Sequence, residues 1–214
     1  MPDPPVARSP IQPAPPTEVR EGWAVSVLRS QGALRLADRT PLTKVLVRAG
    51  AQGGVAARLG VTFGRTRLDP DGVLIIGSGP EEWLLLAPPH GLDVVTGRID
   101  TTDDDLVSMV DVTHGRALMR LSGANAHRVL AKVCAIDLSD TVTPNGAAFR
   151  SSVAKVSTDV IRDDVGSLGA AECSYLLHCE RSSGQYLFDA LLDAGREFGI
   201  QVDGFFLDHA DSDD

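Results

Sequence analysis

Two short apolar blocks, Val73-Leu74-Ile75-Ile76 and Trp83-Leu84-Leu85-Leu86, are separated only by Gly77-Ser78-Gly79-Pro80-Glu81-Glu82. Blocks this short, bounded by glycine and proline, are too brief for helices and read as the two strands of an antiparallel hairpin. Gly77 and Gly79 are expected to supply unusual φ angles, and Pro80 to end ladder pairing. This order also excludes a dinucleotide loop, which needs a helix after its glycines; here a strand follows. Gly53-Gly54 lacks the Lys-Ser/Thr step of a phosphate loop and is read as a turn.

The rest of the chain is built from similar short runs. Strands are expected at Leu42 to Val47, Val61 to Phe63, Val107 to Val112 and Ala117 to Leu121, with Thr113-His114-Gly115 turning between the last two. Short helices fit Val55 to Leu59 and Gly91 to Arg98. Ala126, Val129, Leu130, Val133 and Cys134 fall on one face of a helix, capped by Asn125 or Ser122 and closing around Ile136-Asp137-Leu138. Strands then run over 147–156, 160–161 and Tyr175 to Cys179. A last helix, capped by Ser182 or Ser183, carries Leu187, Ala190, Leu191, Ala194 and Phe198; Ile200-Gln201-Val202 adds an edge strand. Strand pairs precede each of the two longer helices, so the fold class is α+β with antiparallel sheets and a pseudo-duplicated plan, each sheet with a packed helix.

Composition divides the chain. Residues 1–20 are proline-rich and are expected to form a disordered leader, 21–203 the folded domain, and 204–214 an acidic tail. The net charge of -9 over 214 residues supplies no basic field for nucleic acid or anionic lipid, and its acidic runs, such as Asp103-Asp104-Asp105, read as solvated loops. Cys134, Cys173 and Cys179 are an odd number without metal-ligand spacing. With no apolar run of spanning length and no signal-like start, they point to a cytoplasmic protein.

A search for chemistry returns weak constellations. Asp111-x-x-His114 has half of a nucleophile-activating set, but G-x-S-x-G is absent and turn capping is the commoner role. His178 and Cys179 are adjacent on a strand, point to opposite faces and cannot jointly chelate a metal. Asp159 and Asp163 read as solvated loop acids, His127 as a helix surface residue, and Trp83 as core or interface.

Two segments carry a family resemblance. Asp111-Val112-Thr113-His114-Gly115, with Leu121-x-Gly123-x-x-Ala126 and Leu130-x-x-x-Cys134-x-x-Asp137-Leu138, resembles the folate-binding domain of the glycine-cleavage T-protein superfamily. Tyr175 to Arg181-Ser182 and Leu187 to Ala194 resemble its second half. Gly79-Pro80-Glu81-Glu82-Trp83-Leu84-Leu85 resembles the G-P-D-E-W-L-L signature of sarcosine oxidase gamma subunits.

The resemblance implies a T-protein-like subunit of a heterotetramer that converts sarcosine to glycine, passes the one-carbon unit to tetrahydrofolate and reduces oxygen to hydrogen peroxide. It implies no cofactor and no active site in this chain. NAD and tetrahydrofolate belong to an alpha subunit, FAD and FMN to a beta subunit, and zinc to a delta subunit. The alpha subunit is the direct partner, with Gly79, Pro80, Glu82, Trp83, Asp111 and His114 as interface candidates. Active T-proteins carry G-G-x-x-D-D where this chain has Lys155 to Ile161; Asp159 is the remaining folate candidate, and the glycine pair that permits close ligand approach is missing. A standalone folate-binding protein and a subunit of a related N-methyl amino acid dehydrogenase are the alternatives.

Overall fold

The computed structural model describes residues 5–99, 106–166 and 171–207. From residue 5 onward the N-terminal stretch follows a defined path. β1 (Ala7–Arg8) runs parallel to β3 (Trp23–Ser26), and β2 (Thr17–Arg20) runs antiparallel to β3 on its other side. This corrects the expected disordered leader. Its prolines cannot donate to a ladder, but the stretch is held from outside: the Gln12 amide donates to Gln185 Oε1 at 2.7 Å, and Ile11, 1% exposed, is sunk in the main core.

β4 (Leu34–Asp38) and β5 (Thr43–Ala49) follow, then α1 (Gly54–Leu59), β6 (Thr66–Leu68), β7 (Leu74–Gly79) and β8 (Glu82–Ala87). The hairpin is as expected, but its loop is shorter, only Pro80 and Glu81. Gly77 and Gly79 lie within β7, where the register shifts. Gly77 is needed for close approach, not for a turn: a Cβ there would lie 2.2 Å from the Thr62 carbonyl oxygen. The segment Val61 to Phe63 is not a strand; it runs beside Gly77 as irregular chain.

After α2 (Leu92–Thr96) come β9 (Val107–Asp111), β10 (Arg116–Gly123) and α3 (Ala126–Val133). The expected acidic loop at Thr101 to Asp105 lies outside the described residues. Helix α3 ends at Val133, because Cys134 is already extended, and no side-chain bond caps its start. β11 (Ala148–Val153) and β12 (Val156–Arg162) form a hairpin through Ala154 and Lys155, both at positive φ. β13 (Ser174–Glu180), α4 (Gly184–Gly195) and β14 (Gln201–Asp203) complete the chain, with a 3-10 turn at Arg181–Ser183 leading into α4 in place of a serine side-chain cap.

The strands form two large sheets, β6-β7-β8-β5-β9 and β11-β12-β13-β10-β4-β14, mostly antiparallel. Alternation along each strand explains the layering. Met119, Leu121, Val160 and Leu177 face α3 and α4, whereas Leu118, Ile161 and Leu176 face Ile76, Leu84 and Leu86 of the other sheet. Ile75, Leu85, Val45 and Val47 then face Val55 and Leu59 of α1 and Val95 of α2. The order is helices, sheet, sheet, helices, so central strands are apolar on both faces and read as unbroken runs. Among the described residues, no helix is long and apolar enough to cross a membrane.

The Asp111–Gly115 segment does not close a hairpin. β9 pairs with β5 and β10 pairs with β4 and β13, so the turn carries the chain from one sheet to the other. The folded domain also passes the expected limit at 203. Phe205 is buried against Trp23 and Val25, and its amide donates to Ser26 O at 2.9 Å. The rest of the acidic tail, 208–214, lies outside the described residues.

Candidate functional site

The hairpin tip stands at one end of the five-stranded sheet, where Glu82 pairs with Arg48 and Arg48 with Ser108. Glu81 sits at φ 58, and its carbonyl and Oε1 accept from the Ala49 and Ala51 amides. That strained residue thereby fixes the Gly50–Gly53 turn beside the tip. Between turn and tip lies a cavity of about 920 Å3, bordered by Arg48, Gly53, Pro80, Glu82, Leu106 and Ser108.

Glu82 begins a chain of charges that crosses to the second sheet. Its Oε2 accepts from Arg48 Nε at 2.9 Å and from the Arg48 terminal nitrogen at 2.6 Å. Its Oε1 lies 3.5 Å from Arg150, whose Nε donates to Asp159 Oδ1 at 2.6 Å. Asp159 Oδ2 in turn meets His178 Nδ1 at 2.9 Å. Arg150, Asp159 and His178 are cross-strand neighbours on β11, β12 and β13, so strand register alone aligns them. Burial would raise the pKa of Asp159, but its bonds to His178 and Arg150 outweigh that and hold it below the usual range. Burial likewise dominates His178 and lowers its pKa despite Asp159, leaving the ring neutral at pH 7. A neutral ring facing a carboxylate through Nδ1 must donate from that nitrogen. Nε2 is then a bare acceptor, and it has no partner among the described residues.

A carboxylate orienting a histidine has the form of an acid–base pair. At 2% exposure the ring is closed to any substrate arriving from solvent, so the pair ties β12 to β13, and only the Glu82–Arg150 contact reaches the other sheet. Asp159 is therefore a buried strand residue and not the solvated loop acid expected. Its two oxygens are engaged by the protein's own side chains. Asp163 is elsewhere, paired with Arg120 at 2.6 Å.

The crossover turn lies at the other end of β5 from the hairpin tip. The Asp111 carboxylate accepts from its own loop, the Thr113 amide at 2.8 Å, and Thr113 Oγ1 accepts from the Lys44 amide at 2.9 Å. His114 stacks on Trp23 with ring centroids 4.7 Å apart, capping the small N-terminal sheet. Asp111 and His114 thus do turn and packing work. Beneath them Lys44, 0% exposed, donates through Nζ to Thr40 O at 2.6 Å and Leu42 O at 2.8 Å. Burial pushes its pKa down to about 7, against the opposing charges of Asp38 and Asp111.

Of the interface candidates, Gly79, Pro80 and Glu82 share the hairpin tip, and Asp111 and His114 share the crossover turn. The two groups are separated by the Lys44–Arg48 run of β5, roughly 13 Å at strand rise. Trp83 is a correction: only 6% exposed, it packs with Val47, Val61 and Leu85, and its Nε1 donates to Val61 O at 2.8 Å. Strand alternation turns Trp83 into the sheet–helix core when Glu82 faces the other way. Between the two candidate groups runs β9, whose Met109 and Val110 are exposed, as is Leu106 just before it. Sequence reading missed this strip, as well as Arg48, Arg150 and Lys44.

Residues 71–207 match the GCVT N-terminal domain family. The chain is similar to an aminomethyltransferase of Geobacillus thermodenitrificans (strain NG80-2), 32% identical over 130 residues, covering 61% of this chain and 34% of that protein. It spans about a third of that relative's length. It is also similar to the sarcosine oxidase subunit gamma of Corynebacterium sp. (strain P-1), 25% identical over 182 residues, covering 79% of this chain and 84% of that subunit. Among solved structures it resembles the heterotetrameric sarcosine oxidase from Corynebacterium sp. U-96 in complex with pyrrole 2-carboxylate, with TM-score 0.64, 24% identity and coverage of 82% and 85%. It also resembles the glycine cleavage system aminomethyltransferase T from Bartonella henselae, with TM-score 0.61, 15% identity and coverage of 88% and 55%. Both likenesses bear out the α+β, T-protein-like fold.

Proposed function

Because the chain belongs to the GCVT N-terminal domain family, we propose that it works as the gamma-type subunit of a sarcosine-oxidase-like complex. The observation that carries this reading is extent. The similarity fills 84% of a gamma subunit but only 34% of an aminomethyltransferase. The geometry agrees: the acid that a folate enzyme would aim at its ligand is here bound to Arg150 and His178. In this reading the subunit is a scaffold. Oxidation of sarcosine, transfer of the one-carbon unit to tetrahydrofolate and reduction of oxygen fall to alpha, beta and delta subunits carrying NAD, FAD, FMN and zinc.

In this reading the face that meets the alpha subunit is the edge of β9, unpaired among the described residues, together with the hairpin tip. Because the Val112 amide donates to Lys44 O, alternate residues of β9 turn their backbone groups toward β5, and those of Val107, Met109 and Asp111 turn outward. Val110, 51% exposed, and Leu106, 80% exposed, add apolar surface along that edge. An unpaired edge with exposed apolar side chains is a docking template.

Co-expression with an alpha-type subunit is expected to give a complex that survives gel filtration, and V110D is expected to weaken it at unchanged melting temperature. The chain purified alone is expected to give no sarcosine-dependent peroxide. Failure to associate with any candidate subunit, or turnover by the isolated chain, refutes the reading.

A further inference from the structure

On the face of the six-stranded sheet opposite α3 and α4, at its β4–β10 side, lies a cavity of about 380 Å3. Strand alternation sets its lining: Arg35 and Ala37 share one face of β4, and register places Ser122 beside Arg35 and Arg120 beside Ala37. Arg29, Arg39 and the Phe206 ring also line it, as does one carboxylate, Asp203, whose Oδ1 accepts from the Ser30 amide at 2.9 Å. Four arginines around one cavity stand out in a chain of net charge -9.

The guanidinium groups are held in place. Arg120 donates to Ser174 Oγ at 2.9 Å, to Asp163 O at 3.0 Å and to Asp163 Oδ2 at 2.6 Å. Arg35 donates to Gly32 O at 3.2 Å and pairs with Glu172. Arg29 lies over the Phe206 ring at 3.8 Å, and Arg39 donates to the Phe206 carbonyl. One donor is left over. Arg120 is 9% exposed, yet its Nε has no hydrogen-bond partner among the described residues. A buried donor without an acceptor is costly, and an anionic oxygen is the acceptor that guanidinium geometry favours.

We infer that this cavity is an oxyanion site, taking the phosphate or carboxylate group of a small ligand. The arginines supply positioned donors, with Glu172 and Asp163 offsetting part of the charge of Arg35 and Arg120, and Phe206 offers a flat apolar wall beside them. The site stands apart from the β9 edge and does not depend on the subunit reading.

The test is calorimetric titration of inorganic phosphate, and separately of succinate, into the full chain at low ionic strength. Saturable binding at one site is expected for at least one of them, and the tighter of the two identifies the ligand class. Arg29→Gln changes an exposed residue at the cavity mouth, so the fold is retained; it is expected to weaken binding about tenfold. Arg58→Gln makes the same charge change on α1, outside the cavity, and is expected to leave binding unchanged. Absence of saturable binding by both anions, or equal weakening by both variants, overturns the proposal.

Discussion

Asp159→Ala separates a carboxylate that joins three neighbouring strands from one kept for a ligand. In the structure its loss leaves His178 at 2% exposure with both ring nitrogens unpartnered. The lost bond and the stranded donor together cost roughly 2–4 kcal/mol. Arg150 is half exposed and finds water, so its share is small. For a chain of this size the melting temperature should fall by about 4–16 °C.

His178→Leu makes the argument sharper. It gives up the same bond and strands Asp159 Oδ2, although it also removes the unpartnered Nε2, so it should cost roughly 1–3 kcal/mol at pH 7. In that background Asp159→Ala removes only a half-exposed pair with Arg150, under about 1 kcal/mol. The double-mutant coupling is therefore about 1–3 kcal/mol, measurable by urea unfolding followed by fluorescence. Acid adds a second signature. His178 has a folded pKa below its ordinary 6.5, so as pH falls below 6.5 the unfolded chain takes the proton first and stability drops. Asp159, depressed below 3.8, contributes stability that is lost only as pH falls through its lower folded value. His178→Leu should flatten the loss that begins near pH 6.5 and also shrink the more acidic one, because the bond to His178 helps hold Asp159 low. Equal cost of Asp159→Ala in both backgrounds, or no cost in either, would refute the network and return Asp159 to the role of a ligand acid.

Trp83→Ala should lower the chain's own stability by about 3–5 kcal/mol, as for a buried aromatic, and thermal melts of the isolated chain check this. An unchanged melting temperature with lost co-purification would make Trp83 an interface anchor after all. Lys44, with its folded pKa pushed to about 7 from 10.5, binds fewer protons folded than unfolded between those values, so its contribution to stability should rise from pH 7 toward 10.5. Lys44→Met should remove that rise, read as the difference between the two proteins' urea midpoints across the range.

What could be read from the sequence was local. The hairpin, α3, α4 and β13 follow from runs and periodicities contained within each segment, and the opposed faces of His178 and Cys179 follow from strand alternation. Ile11 carries no such signal: a single apolar residue among prolines has no period, and its burial is decided by α4 and the distant sheet. The crossover at Thr113–Gly115 misleads for a related reason. Two strands joined by a tight turn look like a hairpin, and only pairing with β5 on one side and β4 and β13 on the other shows that they part. The site suffers most from this. Glu82 and Asp159 were each legible as acids worth naming, but they meet only through Arg150, 68 residues from Glu82 in the chain. That arginine alters what both acids are for. Flanked by a guanidinium and an imidazole, Asp159 has both carboxylate oxygens bonded to the protein's own side chains. Register between β11, β12 and β13 makes this buried joint, and no signal within any one of those strands announces it.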